Sequence, residues 1–227
     1  RKALNAVEAC FAAHSRDRGE TVLTFAEAQV VAQRSANRYD RDGDSHYDIL
    51  SAFQKSVRGS DPDAAVHYLA RLLEAGDLIS PCRRLMVMAS EDVGLAYPQA
   101  VAVVKACVDS ANMLGLPEAR IPLAQAAIFL ATAPKSNSAI LAVEGALADL
   151  RAGRTGEVPP HLRDAHYEGA AQLGHGTGYQ YAHGYPNHYV KQQYLPDALK
   201  NQTYYTYGEN KTEQAAKQYW DRIKGEG

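Results

Sequence analysis

Three cysteines, Cys10, Cys82 and Cys107, are all that 227 residues carry, an odd number with no C-x-x-C spacing. Their scarcity argues against a disulfide framework and a closed zinc site and points to a reducing cytoplasm. No apolar run reaches the roughly 18 residues that a membrane span needs, and no signal-peptide pattern opens the chain. No sign of charge dominates either: 24 Lys and Arg against 26 Asp and Glu give a formal net charge of −2. The chain as a whole therefore lacks an electrostatic footprint for nucleic acid, and only local basic clusters remain as candidates. Glycine is missing where a phosphate loop would need it. The stretch "ATAPKSNSA", 131–139, sets a lysine before a serine as in G-x-x-x-x-G-K-[ST], yet Pro134 precedes Lys135 and no glycine lies between Gly115 and Gly145. Backbone N–H groups cannot wrap a phosphate there. The turn-forming "NRYDRDGD", 37–44, has an Asp-x-Asp-Gly-Asp but lacks the remaining ligands of a calcium loop, including a Glu six positions after the glycine. No Ser-His-Asp or Cys-His arrangement assembles from spacing, so a hydrolase is not expected. The first residue is Arg rather than Met, and a piece of a longer protein is expected.

What the chain does have is helix punctuation. "RKALNAVEACFAAH" places Leu4, Val7 and Phe11 on one face, and "TFAE" offers Thr24 and Glu27 as a capping box for a second helix. The charged 37–44 stretch is the best candidate boundary, dividing residues 1–40 from 41–227. Beyond it the grammar is regular. "SHYDILSAFQKSVRG" carries Ile49, Leu50, Phe53 and Val57 on one face and stops at Gly59. "DPDAAVHYLARLLEAG" has Asp61 as N-cap, Pro62 in the first turn, Gly76 past the end, and a buried stripe of Ala65, Val66, Leu69, Leu72 and Leu73. Ser80 and Pro81 open the next helix, which runs to Gly94; Pro98 and Gly115 bracket another; Pro122 is expected at a kink or in a first turn. "APKS" reads as a helix-to-helix corner, with Pro134 as stop, Ser136 as cap and Lys135 exposed between them. These hairpins predict an all-α bundle or stacked array. Residues from about 153 to 207 differ in kind, holding His161, His166, His175, His183 and His188 and most of the tyrosines among many Gly and Pro. That composition predicts an ordered, irregular arm rather than a flexible linker, because buried tyrosine rings can keep their hydroxyls hydrogen-bonded. The histidine spacings match no closed zinc pattern, so no metal is expected. "EQAAKQYWDRIK" closes the chain as a short helix.

Several charges stand out. Arg83 and Arg84 sit early in their helix and Glu91 and Asp92 late, all four against the helix dipole. Side chains so placed usually have fixed partners, and a pairing of Glu91 or Asp92 with Arg58 or Arg71 is expected, with scattered surface charge as the bland alternative. Lys55, Arg58 and Lys135 are candidate contacts for DNA phosphates or a protein partner, set against a solvated helix end.

The segments "HYDILSAFQKSVRGSDPDAAVHYLARLLEAG", "RRLMVMASEDVGLAYPQA", "ARIPLAQAAIFLATAPKSNSA" and "VPPHLRDA" occur in the order found in one family. On them the chain resembles the bacterial replication-associated recombination protein A family, AAA+ ATPases related to clamp loaders. The resemblance implies that residues 1–40 are the end of a helical lid and 41–227 a tetramerisation domain. It also implies that the nucleotide-binding core, with its ATP and Mg, belongs to the longer parent, so that this piece alone is no enzyme and carries no cofactor. "RKALN" is similar to the end of the lid motif G-D-x-R-x-x-L-N, which would make Arg1 a nucleotide sensor in the parent. Implied partners are further copies of the chain, DNA at stalled replication forks and single-stranded DNA-binding protein, with no membrane, in a nucleoid-associated setting serving replication, recombination and repair. For self-association the apolar faces at 123–131 and 139–150 and the 177–195 arm are favoured; a DNA-binding module using the basic helix ends is the runner-up.

Overall fold

The computed structural model describes residues 44–165 and 175–225. Arg1, the Thr24 and Glu27 capping box, His166 and most of the 37–44 boundary lie outside them. Seven α-helices and no strand occur among the described residues, as the hairpin grammar predicts. The chain forms two compact units, one running to Leu85 and resuming over Val104–Thr132, the other comprising Met86–Val103 and the chain from Ala133 onward.

In the first unit, helices α1 (Asp44–Arg58), α2 (Pro62–Glu74) and α5 (Arg120–Thr132) pack against one another. Ile49, Leu50, Phe53 and Val57 of α1 are buried, as are Ala65, Leu69, Leu72 and Leu73 of α2. Val66 is half-buried, at the edge of the stripe in which it was expected. Each large aliphatic side chain removed from water contributes about 1.5–3 kcal/mol. The α2 N-terminus forms as expected: the Asp61 carboxylate accepts from the Ala64 N–H at 2.9 Å, and Pro62 occupies the first helical position, where no N–H is needed. Gly76 leaves the helix at φ 74°, a left-handed turn that suits glycine. Helix α3 (Ile79–Met88) corrects one expectation. Its first turn is capped by Asp77 rather than Ser80, the Asp77 carboxylate accepting from the Ser80 N–H at 3.0 Å. Pro122 is the third residue of α5, in the first turn, where a missing N–H costs nothing.

A second correction concerns the favoured self-association face at 123–131. Leu123, Ala126, Ala127, Leu130 and Ala131 are buried within the first unit, leaving Ile121 and Ile128 as the exposed large apolar side chains of α5.

Helix α3 runs on into a π-helical turn, Ala89–Val93, and a short 3-10 turn, Gly94–Ala96, before α4 (Ala100–Leu114). In the second unit these two turns pack against α6 (Ser138–Arg151), and Gly94–Ala96 also meets α7 (Lys211–Lys224). Between α6 and α7 the described residues of the arm are irregular, as expected, with brief 3-10 turns at 160–162, 182–184, 186–188 and 197–199.

Candidate functional site

The second unit is organised by two buried carboxylates. Asn210 caps α7 and Glu213 is its third helical residue; the Asn210 side chain accepts from the Glu213 N–H at 3.0 Å, the first half of a capping box, while the Glu213 carboxylate turns to side-chain donors and the Gly208 N–H. Glu213 is only 2% exposed. It accepts from the Ser138 hydroxyl at 2.6 Å, the Tyr205 hydroxyl at 3.0 Å, the Gly208 N–H at 3.1 Å and the Asn210 amide at 2.5 Å. Burial pushes this carboxyl up, but its hydrogen bonds, those from Ser138, Asn210 and Gly208 among them, outweigh it and hold the pKa at about 2. Tyr205, desolvated and facing that anion, is pushed up to about 12. The α7 N-terminus is thereby fastened to the start of α6, residues 75 apart in sequence.

Asp149 does the same at the other end of α6. Gly153, at φ 75°, turns the chain so that the Arg154 N–H reaches the Asp149 carbonyl at 2.9 Å and its guanidinium returns onto the Asp149 carboxylate. Tyr204 and Gln202 complete the shell at 2.8 and 3.0 Å. Hydrogen bonds from Arg154 and Tyr204 lower the Asp149 pKa, and the Tyr204 phenol is raised in return. Consecutive tyrosines thus tie one strip of the arm to two anions at opposite ends of one helix. A general acid or base works best with a pKa near the operating pH. These carboxylates are held far from that range and are enclosed by donors, so they act as fasteners.

The corner at 131–139 differs from expectation in two respects. Lys135 is half-buried rather than exposed: its ammonium donates to the Ala133 carbonyl at 2.6 Å, and burial lowers its pKa against the opposing pull of Asp92. Asn137 rather than Ser136 stands at the N-cap of α6, although the Ser136 hydroxyl still accepts from the Ser138 N–H at 3.3 Å. The Ser136 N–H donates to the Asp92 carbonyl at 2.8 Å, which draws this corner onto the π-helical turn. Asp92 is buried and Glu91 half-buried. Lys135 is thus a cation acting on Asp92. Lys55, Arg58, Arg71, Arg83 and Arg84 are all exposed.

The histidines disperse. His161 shares a 2.8 Å hydrogen bond with the Gln193 carbonyl, while the His183 and His188 rings meet at a 54° tilt with centroids 4.9 Å apart. Among the described residues no three His, Cys, Asp or Glu side chains come together as a metal site. His46 lies 3.6 Å from the Asp77 carboxylate, within reach of whose charge sits Cys82. Burial and Asp77 both raise the Cys82 thiol pKa, the reverse of what a nucleophile needs. Sequence reading missed Asp149, Glu213, Tyr204 and Tyr205. For Glu213 a signal existed, because "NKTE" at 210–213 is a capping box; the expected helix began at its last residue.

Two family descriptions match this chain. "MgsA AAA+ ATPase C terminal" covers residues 59–224, and "AAA C-terminal domain" covers residues 1–58. The chain is 55% identical over 225 residues to replication-associated recombination protein A of Bacillus subtilis, covering 98% of this chain and 53% of that protein. It is 40% identical over 208 residues to the protein of that name in Escherichia coli K12, with 90% and 46% covered. Against ATPase WRNIP1 of Dictyostelium discoideum it is 36% identical over 190 residues, with 83% and 22% covered. The chain spans about half the length of the bacterial relatives named here.

Proposed function

We propose, from the premise that the chain belongs to the family of MgsA AAA+ ATPase C-terminal domains, that it is the helical oligomerisation and interaction module of a clamp-loader-like ATPase. The parent would act in replication-associated recombination at stalled forks, with ATP and Mg held by a core outside this chain and Arg1 serving as a nucleotide sensor. Nothing about Lys135 fits a nucleotide phosphate, because its ammonium is committed to the Ala133 carbonyl and its charge is disfavoured by burial. In the assembly this module would hold several motors together, so that ATP binding in one is felt by the others on DNA.

The supporting observation is helix α6. It is apolar nearly all round, yet Leu141, Val143 and Leu150 are 60%, 50% and 52% exposed. A helix of that composition is normally buried, and obligate subunit interfaces are large and apolar. Val143 and Leu150 lie two turns apart on one face and Leu141 lies opposite, so α6 has surface left for another copy. Light scattering tests this. The native chain should run as a tetramer insensitive to salt, and replacing Val143 and Leu150 together by arginine should bring the mass down toward the 24.7 kDa of one chain. A native monomer at high concentration would refute the module. In the second reading, exposed Lys55 and Arg58 at the end of α1 grip DNA phosphates. It requires a steep salt dependence, with log K falling by about 0.9 per log unit of salt for each phosphate neutralised.

A further inference from the structure

Between His175 and Pro196 the arm carries no acidic residue at all, one lysine, and a run of aromatic rings. Tyr179, Tyr181, Tyr185 and Tyr194 are 48%, 63%, 40% and 52% exposed, and the His183 and His188 rings beside them are exposed as well. Exposed rings at this density are uncommon where no ligand meets them.

These rings are held in place. The Gln180 N–H donates to the Gln192 side-chain oxygen at 3.3 Å, and the Gln192 amide donates to the Gln180 carbonyl at 2.8 Å. Two passes of the arm are thereby clamped side by side. The same glutamines engage the Tyr185 and Tyr194 hydroxyls, at 3.1 and 2.8 Å. Tyr181 meets His183 with centroids 5.2 Å apart, and His183 meets His188 at 4.9 Å. That contact depends on strained backbone, since Asn187 and His188 both have left-handed φ, 55° and 54°. Non-glycine residues rarely adopt such angles, which cost about 1 kcal/mol or more each and recur at functional sites. At the far end Tyr189 packs edge-on against Trp220 of α7, 6.2 Å between centroids, which anchors the strip.

We infer that this clamped strip is a stacking platform for single-stranded nucleic acid. Successive bases would lie on the Tyr179, Tyr181, Tyr185 and Tyr194 rings and on the His183–His188 pair, with exposed Lys191 meeting a phosphate. Every base has a π-face, so the site would be tolerant of sequence. A strip that contributes no carboxylate of its own suits a polyanion, whereas a proline-rich peptide, the other ligand drawn to exposed tyrosines, has no need of that. The inference does not rest on self-association, because it uses a different part of the second unit from the α6 surface.

The test is fluorescence anisotropy of an oligothymidylate of about 12 nucleotides with the 227-residue chain. Replacing Tyr179 and Tyr181 together by alanine should weaken binding about tenfold or more, and Tyr181→Trp should retain it. A single lysine predicts a shallow salt slope, less than that of two neutralised phosphates. Both tyrosines are exposed, so an unchanged thermal midpoint confirms that the variant folds. Several outcomes would overturn the platform: no binding at about 100 µM, equal affinity for a duplex of the same length, or displacement by a proline-rich peptide alone. Binding lost in Lys55→Ala with Arg58→Ala but kept in the tyrosine variant would assign DNA to the α1 end instead. A change of assembly mass in the tyrosine variant, without a change in oligonucleotide affinity, would make the arm a contact between copies. A monomer that still binds through these rings would sink the oligomerisation module and leave the platform standing.

Discussion

Replacing Glu213 by alanine is expected to cost about 3 kcal/mol, measured as a shift in the guanidinium midpoint followed by the fluorescence of Trp220, the chain's one tryptophan. The substitution removes the acceptor for Ser138, Tyr205, Gly208 and Asn210 at once and leaves these donors inside the second unit. The depressed carboxyl pKa leads to a similar size. A carboxyl brought from an ordinary 4.5 down to about 2 gains on the order of 3 kcal/mol in its charged form on folding. Because the folded value lies below the unfolded one, this stability is fully present above pH about 4.5. It is lost as the pH falls toward 2, where both states are protonated. Glu213→Gln keeps the shape and part of the hydrogen bonding, so it should cost less at pH 7 and lose less stability than the native chain between pH about 5 and 3, the depressed Asp149 carboxyl accounting for part of what remains. If the native chain and the glutamine variant lose stability in parallel over that interval, Glu213 is not the anion that fastens α7.

What could be read from the sequence, and what could not, follows from the range of the interactions. Asp61, Pro62 and Gly76 act on the turn they occupy, so their roles in α2 were legible from spacing alone. So was Pro122, because a proline in a first turn satisfies a local rule. Asp77 was missed as the cap of α3 because Ser80 and Pro81 also form a plausible start, and only the chain path decides which side chain meets the Ser80 N–H. The corner at Lys135 failed for a different reason. Its position between helices was right, but its burial depends on Asp92 and the π-helical turn, which no local pattern announces. The α5 face shows the limit of reasoning from apolarity. Periodicity says that Leu123, Ala126 and Leu130 want cover, and α1 and α2 supply it within the unit. Tyr204 and Tyr205 were legible as aromatic and ordered, but their partners, Asp149 and Glu213, lie in helices on either side of the arm.

Gly94→Ala should be as damaging as any change at a carboxylate, with a loss of about 3 kcal/mol or more in the same denaturation experiment. Gly94 sits at φ 46°, ψ −127°, a conformation open to glycine and very unfavourable for any residue with a side chain. A Cβ there would also stand 2.9 Å from the Ser136 carbonyl oxygen. That backbone cannot retreat freely, because the Ser136 N–H is bonded to the Asp92 carbonyl at 2.8 Å. Displacing Ser136 would disturb its hydroxyl, which donates to Ser138 at 2.9 Å, and Ser138 in turn donates to Glu213. Gly94 and Glu213 are therefore expected to be coupled through two serines. The variant carrying both Gly94→Ala and Glu213→Ala should lose less than the two single losses combined, by about 1 kcal/mol, since each change already damages the same hydrogen-bond relay. Losses that add to within about 0.5 kcal/mol would mean that the turn at Gly94 and the fastening of α7 are independent. The corner holding Lys135 would then owe its form to backbone packing alone.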